Sequence, residues 1–218
     1  MPPDSSSIAS YWDAAASFDD EADHGLLDPR VRAAWSERLR SWMPAAPADV
    51  LDLGCGTGSL SLLLAQQRHR PVGVDLAPLM VDQARRKLST AGFDAPMLVG
   101  DAAGPPEAAG TAFDVILSRH LLWTLPDPER ALSRWTGLLR PGGRLVLVEG
   151  RWATSAEPEE DQSYADPGSL PWRGGVTAED LQRALRPLVR TSRVEPLPDP
   201  DLWGRPIHDE RYAVVAFV

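Results

Sequence analysis

The stretch Val50–Gly58, VLDLGCGTG, puts an apolar run, an acid and glycines at 54, 56 and 58 into one short span. Glycines after a strand and before a helix let a ligand approach backbone N–H groups that a Cβ would screen. The glycines alone leave the ligand open. A dinucleotide-binding turn reads G-x-G-x-x-G or ends in alanine, and the third place here is Ser59. A phosphate-cradling loop needs Gly-Lys-Ser/Thr, which is missing, and a plain tight turn fits the same residues. Two further acids close apolar runs. GVDLAP brings Asp75 to a strand end, where a carboxylate can accept both hydroxyls of a ribose or else cap the helix that starts at Pro78. LVGDA places Asp101 at another strand end, suited to an adenine amino group or simply idle in a loop. Three successive strand ends of this kind favour a ligand that contains adenosine.

Other reactive side chains fall in three places. Ser118, Arg119, His120 and Trp123 follow the apolar run at 113–118, on the side where acceptors enter such sheets. His120 is a candidate general base or a structural hydrogen-bonder; Arg119 suits a cofactor carboxylate or a surface acid. The N-terminal piece YWDAAASFDDEADHGL groups Tyr11, Trp12, Phe18 and His24, either as a cap over a ligand or as packing against the domain. Its acids Asp19, Asp20, Glu21 and Asp23 read as a solvated face, and no metal site is expected. The C-terminal DLWGRPIHDERY supplies Trp203, His208 and Tyr212, which with Trp152 and Trp172 could wall an aromatic pocket. If an acceptor must lose a proton, His24, His120 and His208 are the candidate bases, in no order that the sequence sets.

Elements must hold these residues in place. A helix is expected over 5–20 and another over 28–43, where Asp28 and Pro29 start a run with Val31, Trp35, Leu39 and Trp42 at helical spacing. Strands are expected at 49–53, 71–75, 96–99, 113–118 and 143–149, with helices at about 57–68, 78–91 and 127–139 between them. Such alternation predicts a parallel sheet covered on both faces. Residues 150–175, rich in Pro, Gly, Ser and acids, are too long for a silent turn and read as a lid. A helix over 177–185 opens on a capping-box-like Thr177 and Asp180. Strands near 188–195 and 211–217 follow without a crossover helix, so one must run antiparallel.

The bulk numbers set the class. A chain of 218 residues can bury the core of one α/β domain, and 43% hydrophobic with 24% charged residues is ordinary for a globular protein. The start MPPDSSSIAS has neither basic residues nor an apolar centre, so no signal peptide is expected, and no run approaches a membrane helix. The single cysteine, Cys55, excludes an internal disulfide and cysteine zinc sites, and a cytoplasmic setting follows. A net charge of −9 disfavours nucleic acid.

In VLDLGCGTG, VGVDLAPLM, LVGDA, FDVILSRHLLWTLPDP and LLRPGGRLVLVEG, in that order, the chain resembles the class I S-adenosylmethionine-dependent methyltransferases, small-molecule type, over about residues 45–150. The resemblance implies a Rossmann-like, mostly parallel sheet of seven strands, order 3-2-1-4-5-7-6 with one antiparallel, matching the five strands plus two counted above. It divides a single domain into an N-terminal helical cap (1–45), a cofactor-binding core (46–150), a lid-like insertion (151–176) and a C-terminal helix and strand pair (177–218). It implies that Gly54, Cys55 and Gly56 lie along the methionine part of S-adenosylmethionine, that Asp75 holds the ribose, and that Leu76 and Met80 flank the adenine. Asp101 would bind the adenine amino group, Ala102 would add backbone contacts, and Asp52 would orient the loop. Tyr11, Ser118 and Arg119 join the implied cofactor contacts, and Phe18, Trp123, Trp152, Trp203 and Tyr212 the acceptor pocket. A small organic acceptor is the expected partner, with no nucleic acid, no membrane, and a monomer or homodimer. The Arg-rich, lysine-poor composition suggests a bacterial source and secondary metabolism. Competing readings are an RNA or protein methyltransferase, which would want a basic face or an N-P-P-Y-type motif, a sensor that binds the cofactor without turnover, and a nicotinamide dehydrogenase, disfavoured by Ser59.

Overall fold

The computed structural model describes residues 5–13, 18–151 and 170–218. Its seven strands form one sheet: β1 (Asp49–Leu53), β2 (Arg70–Asp75), β3 (Met97–Val99), β4 (Phe113–Arg119), β5 (Leu139–Arg151), β6 (Thr191–Pro196) and β7 (Glu210–Phe217), in the order 3-2-1-4-5-7-6. Every pairing from β3 through β5 is parallel, and β7 is antiparallel to both β5 and β6. The order expected from the family resemblance is the order observed. The order in which strands are added reverses between the parallel neighbours β1 and β4, where Leu53 lies beside Ser118, and such a switch point leaves a crevice at the carboxyl ends of both strands.

Strand character follows from the apolar runs. Leu51, Leu53, Ile116, Leu145, Leu147 and Val214 bury one face, and Val50, Val115, Leu117, Val146, Val148 and Val215 bury the other. Successive residues of a strand point to opposite faces, so a strand covered on both sides must be apolar throughout. One observed strand outruns the expectation. β5 starts at Leu139 because Arg140–Gly143 bulges: Leu139 pairs with Phe113, but the next partners are Val115 and Arg144.

Eight helices are described: α1 (Ser5–Asp13), α2 (Ala22–Gly25), α3 (Pro29–Trp42), α4 (Ser59–Gln66), α5 (Pro78–Thr90), α6 (Pro128–Thr136), α7 (Ala178–Leu185) and α8 (Pro200–Trp203). α3 begins where expected, Asp28 accepting from the Arg30 N–H at 2.8 Å with Pro29 in the first helical place. It ends at Trp42, with Met43 as its extended cap residue before Pro44, and buries Val31, Trp35, Leu39 and Trp42. Removing such a side chain from water contributes roughly 1.5–3 kcal/mol. The Thr177 hydroxyl accepts from the Asp180 N–H at 3.2 Å and donates to its carboxylate at 2.7 Å, so this cap closes on itself. The first expected helix, 5–20, is two pieces, α1 and a 3-10 turn at Phe18–Asp20; residues 14–17 lie outside the described residues. α2 and α8, four residues each, are too short for periodicity to reveal. Most of the insertion, 152–169, also lies outside the described residues, as does Trp152. Among the described residues no helix is long and apolar enough to cross a membrane.

Gly58 ends the loop after β1 at φ +78°, and a Cβ there would sit 2.9 Å from that of Ala84 on α5. Gly58→Ala should lower the urea-unfolding free energy by about 2–3 kcal/mol, combining left-handed strain with overpacking. Gly92→Ala, at φ +82° with open space around it, should cost only the strain, about 1 kcal/mol. Equal losses would show that packing against α5 adds nothing.

Candidate functional site

The carboxyl ends of β1, β2 and β4 carry the residues singled out by the sequence. Gly54 and Cys55 donate backbone N–H groups to the Val74 carbonyl at 2.8 and 3.2 Å, folding the loop back over β2. Gly54, Gly56 and Gly58 all have positive φ. A Cβ on Gly54 would meet the Leu121 side chain at 3.1 Å, and one on Gly56 the Phe18 ring at 3.5 Å, so those two side chains lie directly against the bare backbone. Cys55 itself is buried against Gly73, and burial pushes its thiol well above the ordinary range. Asp75 joins two loops, its Oδ2 accepting from the Gly56 N–H at 2.8 Å and its Oδ1 from the Ala77 N–H at 2.9 Å. Ala77, not Asp75, is the cap residue of α5 and receives no side-chain cap bond there. Burial raises the Asp75 pKa, against the backbone N–H bonds that favour its charged form. Leu76 is half-buried and Met80 buried beside it. Asp101 is exposed and accepts from the Ala103 N–H at 2.8 Å; Ala102 is buried, its carbonyl accepting from the Trp135 indole at 2.7 Å.

Asp52 lies beneath the loop, buried, with the Ser61 hydroxyl donating to it at 2.5 Å, and burial pushes its pKa up to about 6. Ser118 is fully buried where β4 passes between β1 and β5. Arg119 donates to the Asp23 carbonyl and lies 4.9 Å over the Trp35 ring. It is half-buried, and this hydrogen bond goes to a backbone carbonyl rather than to a surface acid.

On the acceptor side two of the three candidate histidines meet. Phe18 stacks on His24 at 4.2 Å, His24 meets His120 edge-on at 6.5 Å, and His120 stacks on Trp203 at 5.7 Å, with Trp35 edge-on behind at 5.5 Å. His208 is exposed on the loop before β7. Burial, then the Arg119 charge, lowers the His24 pKa to about 4; burial and the charges of Arg119 and Arg211 hold His120 well below its ordinary value. Both rings are neutral at pH 7. Asp23, His24 and His120 bring three ligand-type atoms within 4.8 Å of one another. The Arg119 guanidinium beside them already supplies a positive charge, which opposes a metal ion there.

The turn that presents His120 is held from several sides. His120 is not a glycine yet has φ +55°, its N–H donates to the Val148 carbonyl at 2.9 Å, and its carbonyl accepts from the Trp123 indole at 2.8 Å. The next two N–H groups, of Leu121 and Leu122, donate to one oxygen of Glu149 at 3.1 and 3.0 Å. Glu149 is fully buried, and burial raises its pKa to about 8. Such strain in a bulky residue persists only where its surroundings over-determine it.

Corrections concern the aromatic wall. Tyr212 is 1% exposed, its hydroxyl donating to the Val176 carbonyl at 2.8 Å, in the core on one face of the sheet. Trp203 is buried in the core of the other face, its indole donating to the Leu197 carbonyl. The two cannot share a pocket wall, because alternation along β7 sends Tyr212 and Ala213 to opposite sides. Trp123 is buried in a small cluster with Leu170, against which Tyr11, Trp12 and Ile8 of the N-terminal piece pack.

Contacts that the sequence did not suggest fasten the N-terminal piece down. Asp19, read as part of a solvated acidic face, accepts from the Thr57 hydroxyl at 2.5 Å and pairs with Lys87 at 2.8 Å. Asp13 accepts from the Leu79 N–H at 2.8 Å, supplying the first turn of α5 with the partner its own cap residue lacks. A Cβ on Gly25 would lie 1.9 Å from the Asp19 carbonyl oxygen, so only glycine lets α2 approach that turn.

The comparisons with known proteins agree with this edge of the sheet. A family model described as a methyltransferase domain matches residues 51–147. The chain is 32% identical to a trans-aconitate 2-methyltransferase of Methylobacterium radiotolerans over 198 residues, 88% of this chain and 73% of that protein. It is 40% identical to a demethylmenaquinone methyltransferase of Thermus thermophilus over 106 residues, 48% of each. The solved magnesium protoporphyrin IX methyltransferase of Synechocystis with bound S-adenosylmethionine superposes with TM-score 0.67 over 97% of this chain and 96% of its own, at 16% identity, a likeness of fold. With the glycine loop, the β2 carboxylate and the 3-2-1-4-5-7-6 sheet in one chain, the protein belongs to the class I S-adenosylmethionine-dependent methyltransferases.

Proposed function

We propose that this chain transfers a methyl group from S-adenosylmethionine to a small organic acceptor held between the N-terminal piece and the His120 turn. The observation that carries the reading is the covering of the glycine loop: Phe18 and His24 lie over it, fastened by Asp19. A cover this close suits an acceptor of small size, and the net charge of −9 suits nucleic acid poorly.

The residues fit the cofactor. We assign the cofactor's amino-acid tail to the backbone of Gly54, Cys55 and Gly56, its carboxylate to Tyr11, Ser118 and Arg119, and the support of the loop from below to Asp52. In this reading Asp75 takes the ribose hydroxyls, Leu76 and Met80 the faces of the adenine, and Asp101 with Ala102 its edge. When bound, S-adenosylmethionine supplies an activated methyl group, and the protein mainly supplies alignment. Holding an acceptor at attack distance can contribute roughly 7–11 kcal/mol. His24 and His120, neutral and weakly basic, can accept a hydrogen bond but take a proton only from an acidic acceptor. An acceptor that is already ionised, such as an organic acid, therefore suits the site. The relative that acts on trans-aconitate, by its name, makes polycarboxylates the first compounds to try.

The direct test incubates the protein with methyl-labelled S-adenosylmethionine and a cell extract, then separates small molecules, RNA and protein. Label among the small molecules is expected; label in RNA or protein alone would overturn the reading. Asp75→Ala should weaken S-adenosylhomocysteine binding at least about tenfold by calorimetry; an unchanged Kd would remove Asp75 from the ribose site.

The weak basicity of His24 has its own signature. The unfolded ring takes a proton near pH 6.5, whereas the folded one resists until about 4, so this contribution to stability is complete above 6.5 and erodes as pH falls toward 4. Its slope is at most about 1.4 kcal/mol per pH unit. His24→Gln should lose visibly less stability than the parent protein between pH 6.5 and 4.5 in urea titrations. Parallel curves would show that the ring titrates normally.

A further inference from the structure

Lys87 is the only lysine of the chain; the other 21 basic residues are arginine. It lies on α5 with its side chain 20% exposed, and its ammonium meets three oxygens: Asp19 Oδ2 at 2.8 Å, Thr57 Oγ1 at 2.9 Å and Ser59 Oγ at 2.8 Å. An ammonium has three donors, so all three are engaged. The acceptors come from separate pieces of chain, since Thr57 and Ser59 flank the last glycine of the loop and Asp19 belongs to the turn that carries Phe18. The network closes on itself, the Thr57 hydroxyl donating to the other Asp19 oxygen at 2.5 Å and the Ser59 hydroxyl reaching the Gly25 carbonyl at 3.3 Å. Phe18 and His24 are therefore attached to the glycine loop through a hydrogen-bond network centred on one cation.

We infer that Lys87 is a positioning residue, whose ammonium pins the Phe18–His24 cover onto the glycine loop and so sets the slot in which cofactor and acceptor meet. The role requires lysine in particular. Three acceptors gathered round one point match a compact ammonium, whereas the planar fork of a guanidinium spreads its donors outward and is longer. A chain that uses arginine at every other basic position keeps lysine at the one place where the guanidinium does not fit. Asp19 is the obligatory partner because it is the only acceptor in the trio that belongs to the cover.

The proposal rests on the methyltransfer reading for its consequence but not for its geometry, and the test separates the two. Lys87→Arg keeps the charge and Lys87→Met removes it, while Asp19→Asn cuts the network from the cover side. Thermal melting first establishes that each variant is folded. The His24 ring, stacked on Phe18, should show an upfield proton shift in the parent protein, and all three variants should lose it. S-adenosylhomocysteine affinity should fall by about tenfold or more in Lys87→Arg, with Lys87→Met no better. A Lys87→Arg protein that keeps both the shifted His24 signal and the parent affinity would overturn the proposal. Should the variants fail to fold, the unmodified protein still answers: amine-selective acylation reads Lys87 and the terminal amine alone. Lys87 should then react far more slowly than in urea, and equal rates would overturn the pinning. Failure of the parent protein to bind S-adenosylhomocysteine would instead count against the methyltransfer reading and leave the His24 measurement to decide the pin.

Discussion

One carboxylate fixes how the cofactor edge is built. Asp75, at the end of β2, gives one oxygen to the Gly56 N–H of the loop after β1 and the other to the Ala77 N–H of its own loop, so the glycine loop cannot lift from β2 without leaving the Gly56 N–H unpaired. The glycines of the loop have no side chains to stiffen it, so it depends on this bridge, on the Val74 carbonyl, on α5 packed against Gly58 and on the Thr57 hydroxyl held by Asp19 and Lys87. Burial works against the charge on Asp75, and the N–H bonds offset part of that cost. A group held this way is already oriented before any ligand arrives, which is what a preorganised site requires.

The acceptor side is assembled on a different plan. Few of its residues are neighbours in sequence: Phe18 and His24 come from the N-terminal piece, Arg119 to Trp123 from the end of β4, Glu149 from β5 and Trp203 from α8. Each is secured by a small number of long-range contacts, such as Glu149 on the Leu121 and Leu122 N–H groups and Trp35 on the Leu202 carbonyl. Dryness is the common effect. The low basicity of His24 and His120 and the raised pKa of Glu149 all have burial as their first cause. An environment that keeps ionisable groups neutral also strengthens electrostatic forces on any charge that enters it.

The sheet was legible in the sequence because its strands are apolar runs closed by acids and glycines, signals that lie within a few residues. The same held for α3, where Asp28, Pro29 and a four-residue rhythm of buried side chains coincide. The positions of Asp75 and Asp101 followed from strand ends. What stayed hidden depends on partners far along the chain. Asp19 in a run of acids has the composition of a solvated face, and nothing local shows that Lys87, 68 residues on, will meet it. Glu149 in LVLVEG reads as the end of a strand, and its two N–H partners belong to another strand's loop. Tyr212 and Trp203 were grouped because both are aromatic and near in sequence, but the α8 turn and the alternation of β7 place them on opposite faces.

The place of β7 in the sheet bears on the order of assembly. Among the described residues β6 pairs with no strand except β7, and β7 lies between it and β5. β6 therefore has nowhere to dock when it is made, and its row of backbone groups must stay hydrated until Glu210–Phe217 has inserted. The pairings from β3 to β5 face no such delay, since all five strands precede residue 152. Folding should accordingly divide into an early, mostly parallel half and a late antiparallel closure. Trp203, brought in by the segment between β6 and β7, would reach His120 only with that closure, so the site matures after the cofactor edge does.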